Sequence, residues 1–282
     1  MGRWAFAKGH GTENDFVILV DRDGANPVTA EQVRWICNRR AGIGGDGILR
    51  AVRGRHIPEW DGDPEIWFMD YRNADGSIAE MCGNGIRVFV RYLVDEGLTE
   101  GPLVPVGTRA GLRETEVLSD GRIRVAMGPA RVRSEQVRVS TADQQAFDAV
   151  GVDVGNPHAV SFCADPDVLD LRSAPTWEPA VVFPHGVNAE FVVERGPHRL
   201  AMRVFERGSG ETRSCGTGTV AAAAAWHARH GVVATPDLAA HTTPVRYQVD
   251  VPGGSVEVEL GEQAYLTGPA VIVARGELSP PT

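Results

Sequence analysis

Two stretches of this chain repeat one pattern. MCGNGIRVFVRYLVDEG at 81–97 and SCGTGTVAAAAAWHARHG at 214–231 each set a cysteine before Gly-x-Gly and an apolar or alanine-rich run of about fifteen residues that ends in glycine. The cysteines, Cys82 and Cys215, stand 133 positions apart in a chain of 282, near half its length. A polar glycine loop precedes each, ADGSIAE in one case and RGSGETR in the other. Such an echo predicts a duplicated unit rather than a single core. A helix apolar nearly all round, as 86–94 would be, must be enclosed. The fold class expected is α/β (α+β). Two pseudo-symmetric halves would each wrap a curved, mostly antiparallel sheet or barrel around one central helix. The break is expected near Gly128-Pro129, with residues 1–127 and a returning segment 266–282 in one half and 128–265 in the other.

Strands are expected where short β-branched runs lie between turn signals: 4–7, 16–20, 48–52, 66–69, 103–106, 114–118 and 123–127 in the first half, and 131–139 just past the break. In the second they are 151–154, 159–162, 189–193, 200–205, 245–251 and 255–260, the last two closing the chain before a frayed ELSPPT. Thr29 is a suitable N-cap for a helix over 29–40. SDG at 119–121 marks a hairpin.

Composition removes several classes. With 28 basic against 37 acidic residues, formal charge -9 and no basic run, nucleic acid is a poor partner. An anionic membrane surface is equally poor, and no apolar stretch is long enough to span a bilayer. The opening MGRWAFAKGHG lacks a signal-peptide core, so a cytoplasmic location is expected. Lys8 is the one lysine, in a glycine-rich context unsuited to a Schiff base, which argues against pyridoxal phosphate. The four cysteines form no CxxC pair, and no metal is expected. GIGGDG at 42–47 satisfies GxGxxG but follows a helix, not a strand, and reads as a helix-capping turn. His227 and His230 share a helix face without an evident third ligand. Cys37 and Cys163 sit in apolar contexts and read as core.

Cys82 and Cys215 read differently. A helix N-terminus presents unpaired N–H groups and roughly half a positive charge, which favours a thiolate. Neighbouring glycines let a carboxylate approach bare backbone. Two such thiols are what inversion at a carbon acid needs, a base on one face and an acid on the other, with no cofactor. Asparagines in glycine-flanked loops (Asn14, Asn73, Asn156, Asn188), with His158 in GNPH and the pair Glu206-Arg207, suggest a polar pocket able to hold a zwitterion.

KGHGTENDF, NADGSIAEMCGNGIR, GNPH, GVNAEF, ERGSGETRSCGTG and AYLTGPA, in this order along nearly the whole chain, resemble the diaminopimelate epimerases. The resemblance implies Cys82 and Cys215 as the acid/base pair, with His158 and Glu206 assisting proton transfer. It implies that Gly83, Asn84, Gly216 and Thr217 hold the reacting α-carboxylate. Asn14, Asn73, Asn156, Asn188, Glu206 and Arg207 match the other substrate positions. It also implies an active site in the cleft between the two halves, a homodimer with Tyr265 in its interface, a small-molecule substrate and no cofactor. Two departures stand out. Gly47 occupies a position where a glutamine is common, and Thr12-Glu13 one where Leu-Gly is frequent. A proline racemase-like enzyme, or an isomerase of the same architecture, is the alternative; a non-catalytic carboxylate binder is a remote one.

Overall fold

A computed structural model describes residues 3–230 and 244–279. In chain order the elements are β1 Trp4–Gly11, β2 Asn14–Val20, α1 Ala30–Cys37, β3 Gly47–Arg53, β4 Trp67–Asn73, α2 Gly83–Asp95, β5 Val106–Thr108, β6 Gly111–Arg113, β7 Thr115–Val117 and β8 Ile123–Gly128. They continue with β9 Arg131–Ser140, β10 Ala146–Asp153, β11 Pro157–Phe162, β12 Thr176–Glu178, β13 Asn188–Gly196, β14 Arg199–Glu206, β15 Gly210–Thr212, α3 Gly216–Arg229, β16 Val245–Val251, β17 Gly254–Leu260, β18 Ala264–Gly268 and β19 Val271–Leu278. The chain divides into two compact units, residues 1–125 with 268–282, and residues 126–267. Each is a sheet with one enclosed helix, and neither sheet closes into a barrel.

In the first unit the sheet runs β19-β1-β2-β3-β4-β5-β6. The β2–β3 and β4–β5 neighbours are parallel and the rest antiparallel. Helix α2 packs on it, burying Ile86, Val88, Phe89, Val90 and Leu93 completely. Burying five such side chains contributes on the order of 1.5–3 kcal/mol each before entropy is charged against it. Phe16 pairs with Gly47, and Gly47 with Asn73. The start of β2, the start of β3 and the end of β4 therefore lie at one end of the sheet, with Asn14, Asp46 and Asn73 close in register.

In the second unit the strands run β12-β9-β10-β11-β13-β14-β16-β17-β18, with β15 on β14. Helix α3 packs against most of them, and Ala221 to Ala225 are wholly buried. A run of alanines keeps the helix thin, so the strands approach its backbone closely. Here too the register gathers one end of the sheet. His158 pairs with Val152 on one side and Asn188 on the other, and Ala189 pairs with Phe205, next to Glu206.

Three expectations need correcting. The strand expected over 103–106 begins only at Val106, where β5 starts, and Leu103 makes an isolated bridge to Glu116. Helix α1 stops at Cys37, not Arg40: Asn38 Oδ1 accepts from the Arg40 and Ala41 amides, and Ile43 and Gly44 return to the Ile36 carbonyl. That closure is what GIGGDG does at its start. The chain also does not end on β17. Strands β18 and β19 follow, and Glu277 and Leu278, expected in a frayed tail, belong to β19, where Leu278 is buried. Among the described residues strand β19 pairs only with β1, at a sheet edge, and leaves Val271 and Val273 exposed, so its sequence lacks the apolar density of an enclosed strand.

A buried ionic cluster braces β3 and β4. Arg50 bonds Asp21 at 2.6 Å and Asp70 at 3.0 Å, and Asp70 also takes Arg109 at 2.8 Å. Removing one partner leaves buried charge uncompensated, so Asp70→Ala should cost about 3–5 kcal/mol of stability. Denaturant unfolding measures it, and a loss below about 1 kcal/mol would place these charges among ordinary surface pairs.

Candidate active site

Both repeated cysteines are the N-cap residues of their helices. Cys82 has extended backbone, and its sulfur accepts from the Gly85 amide at 3.3 Å; Cys215 does the same, accepting from Gly218 at 3.4 Å. Each sulfur therefore takes the place of a serine or aspartate cap oxygen, facing the positive end of the helix.

Around Cys82, the thiol lies 3.7 Å from Asn14 Oδ1, which also accepts from Asn84 Nδ2 at 3.2 Å. Asn14 Nδ2 donates to Asp46 at 2.8 Å. Asp46 pairs with Arg39, and Arg39 and Lys8 both pair with Asp15. Burial raises the Asp46 carboxyl, and the Asp15 charge raises it further. For Asp15 burial also pushes upward, but hydrogen bonds from Arg39 and Lys8 outweigh it and hold the carboxylate well below its usual range. Lys8 is thus engaged with a carboxylate. Beneath the helix start lies Arg87, wholly buried, donating to the Gly83 carbonyl and to Thr12 Oγ1. Burial brings it down to about 10, so it is a cation at neutral pH beside the Cys82 turn. A buried cation favours a neighbouring thiolate.

Around Cys215 the partners are Thr217 Oγ1 at 3.5 Å, then Asn156, whose Nδ2 donates to Thr217 at 3.3 Å, then His158. His158 Nε2 meets Asn156 Oδ1 at 2.9 Å, and its Nδ1 meets Glu190 Oε1 at 2.6 Å. Burial, then the charges of Glu206 and Glu190, raise the Cys215 thiol well above its ordinary value, against hydrogen bonds from Thr217 and Gly218 that lower it. Asn188 caps the loop after β14, accepting from the Arg207 amide at 2.9 Å. Glu206 accepts from Thr212 Oγ1, and Arg207 bonds the His185 carbonyl while its side chain stays exposed.

The predicted residues thus fall into two groups, one per unit: Asn14, Gly83 and Asn84 with Cys82, and Asn156, His158, Asn188, Glu206, Gly216 and Thr217 with Cys215. Asn73 is less committed. It lies at the same sheet end, but its amide is taken up locally by Ser77 and Tyr71. Tyr265 is half-buried on β18 and accepts from Gln263. Cys37 and Cys163 pack in or against apolar clusters, and burial pushes them up to about 12 and about 11. His227 bonds Tyr247 OH at 2.8 Å and His230 the Trp226 carbonyl. Among the described residues no group of three metal-binding side chains occurs. Sequence reading passed over Asp46, Arg87 and Glu190. For Glu190 a signal existed: in NAEF, period two puts the acid on the face of Asn188, opposite Ala189 and Phe191.

The family model described as "Diaminopimelate epimerase" matches residues 6–133 and 150–273. The chain belongs to the diaminopimelate epimerase family. It is therefore an isomerase of the epimerase kind. A protein of Streptomyces coelicolor named diaminopimelate epimerase is 51% identical, covering 98% of this chain and 95% of that one. One of Corynebacterium glutamicum with the same name is 47% identical, covering 97% of each, and one of Thermobifida fusca 48%, again covering 97% of each. Among solved structures, a PhzF-family phenazine biosynthesis protein of Bacillus anthracis superposes with a TM-score of 0.69 at 16% identity, covering 99% of this chain and 100% of that one. A hydroxyproline epimerase of Agrobacterium vitis gives 0.64 at 15%, covering 98% and 92%. At such identities these two establish the fold alone.

The two positions singled out as departures each sit in a constrained local setting. A side chain at Gly47 would put its Cβ 2.5 Å from the Arg72 carbonyl and 2.8 Å from the Tyr71 ring, so Tyr71 occupies that space. Thr12 and Glu13 both hold positive φ, 52° and 61°, a turn that glycine adopts without strain. In exchange the Thr12 hydroxyl bonds the buried Arg87.

Proposed function

We propose that this protein interconverts LL- and meso-diaminopimelate, supplying precursors for lysine and peptidoglycan, by a two-thiol mechanism that uses no cofactor. One sulfur, as thiolate, removes the α-proton while the other, as thiol, delivers a proton to the opposite face, and the roles exchange in the reverse direction. The observation that carries the reading is the identical capping of Cys82 and Cys215 on two enclosed helices. In it, the bare amides of Gly83, Asn84, Gly216 and Thr217 form the first turns, suited to a carboxylate that gains charge as the carbanion develops. Arg87 supports Cys82 as the resting base. Burial with two carboxylates nearby supports Cys215 as the resting acid. Asn14, Asn73, Asn156, Asn188, Glu206 and Arg207 are proposed as the remaining substrate contacts, and His158 and Glu206 as aids to proton transfer.

Family likeness also supports a homodimer that includes Tyr265 and a cytoplasmic enzyme. Among the described residues no helix is long and apolar enough to cross a membrane.

In deuterium oxide the purified protein should place solvent deuterium at the α-carbon of LL-diaminopimelate as the meso isomer forms, and leave proline untouched. Nuclear magnetic resonance of the product reports both. Exchange with proline instead would transfer the reading to the proline racemase-like alternative, and no exchange with either would leave a carboxylate binder.

A further inference from the structure

Beyond its charge near Cys215, the proposed chemistry gives Glu190 no role, yet it is wholly buried at the root of the Cys215 network. Its Oε1 is 2.6 Å from His158 Nδ1, and its Oε2 has no hydrogen-bond partner among the described residues. It also lies directly under the first turn of α3, where a Cβ on Gly218 would come within 2.8 Å of Oε1 and 3.3 Å of Cys215 Sγ. The carboxyl is thus held between an imidazole and the backbone that carries the thiol.

The polarity of this network rests on elementary chemistry. Asn156 Nδ2 donates to Thr217, so Oδ1 faces His158. An amide oxygen only accepts, so His158 Nε2 carries a hydrogen. Nδ1 and Glu190 then share one proton between them, whichever atom holds it. Thr217 Oγ1, already accepting from Asn156, has its own hydrogen left to give to Cys215 Sγ at 3.5 Å. From His158 Nε2 through Asn156 to Thr217, the donors can thus all point toward the sulfur.

We propose that Glu190 is a positioning residue: by anchoring His158 Nδ1 it locks the relay His158–Asn156–Thr217 in the one orientation that aims a hydroxyl hydrogen at Cys215 as the thiol gives up its proton. The proposal rests on the epimerase reading. Burial and the neighbouring Glu206 charge, which raise Glu190, and burial with both carboxylates, which raise Cys215, are the load this relay offsets. No equivalent acid–histidine anchor is seen beside Cys82 among the described residues, where Asn14 reaches Asp46 directly.

The test uses the full-length protein labelled with 15N-histidine. In the wild type, His158 should show a protonated Nε2 at neutral pH; a bare Nε2 reverses the relay and overturns the proposal. Glu190→Ala should lower kcat at least tenfold with KM within about twofold and disturb the His158 signals. Glu190→Gln, whose amide still meets Nδ1, should stay within about threefold of wild type and keep Nε2 protonated. Wild-type kcat in Glu190→Ala, or equal damage in both variants, overturns positioning. If Glu190→Ala does not fold, Thr217→Val, which cuts the relay next to the sulfur, carries the same kcat expectation. The nitrogen signals are read without substrate. A failure of the epimerase reading (no turnover by the wild type) is thereby distinguishable from a failure of this one.

Discussion

Cys215→Ser and Cys82→Ser should each lower the epimerisation rate by at least ~10³-fold while leaving the protein folded. Serine caps a helix as well as cysteine or better, so the N3 amide keeps its partner and thermal stability should move little. What is lost is a group able to exchange a proton near neutral pH, and a positioned acid or base contributes on the order of 10²–10⁴-fold. The two variants should also differ in kind. Cys215→Ser keeps Cys82 beside the buried Arg87 guanidinium and should still wash deuterium into one isomer without inverting it. Cys82→Ser keeps only the thiol that burial and two carboxylates hold protonated, so its residual exchange should be lower. Rates of inversion and of exchange, measured separately, check both points. Undiminished inversion in either variant would remove the two-thiol mechanism.

Gly218→Ala should come next in size. An added Cβ would stand 2.8 Å from Glu190 Oε1, 3.2 Å from Cys215 Cβ and 3.3 Å from its sulfur. Glu190 is tied to His158 at 2.6 Å and cannot easily retreat, so the thiol turn must give way. A displacement approaching 1 Å at a reacting group costs on the order of 10²-fold. Alanine favours helix over glycine by about 1 kcal/mol, which offsets part of the strain, so the melting temperature should fall far less than the activity. Gly85→Ala is the internal control. There the neighbours are Cys82 Cβ and Leu49 at 3.3 Å and Phe16 at 3.5 Å, tight contacts, with none under 3 Å, that a shift of a few tenths of an ångström relieves. Its loss should stay below about tenfold. Equal losses in the two variants would show that the carboxyl beneath α3 does not constrain the thiol.

Both expectations contrast two motifs that look alike as text. MCGNG and SCGTG announce the same cap, and both helices are found where the apolar and alanine runs put them. Their surroundings differ. A buried arginine from within α2 supports the first, while a glutamate from β13, 25 residues before Cys215, underlies the second. Arg87 could have been suspected from an arginine set in an apolar helix. Asp46 was passed over because GIGGDG reads as a helix-ending turn, which it is, while its aspartate also faces Asn14. Edge strand β19 was missed because an edge strand half open to solvent needs little apolar density.

By itself the sequence determined the duplication, the two enclosed helices and the placing of a thiol at each helix start, because capping residues, glycines and a run of buried side chains act within a few positions of one another. The tertiary structure alone decided which asparagine, histidine and carboxyl meet each thiol, and so how differently the two sulfurs hold their protons. Those partners come from strands distant along the chain, and only strand register and packing bring their polar atoms within hydrogen-bonding reach.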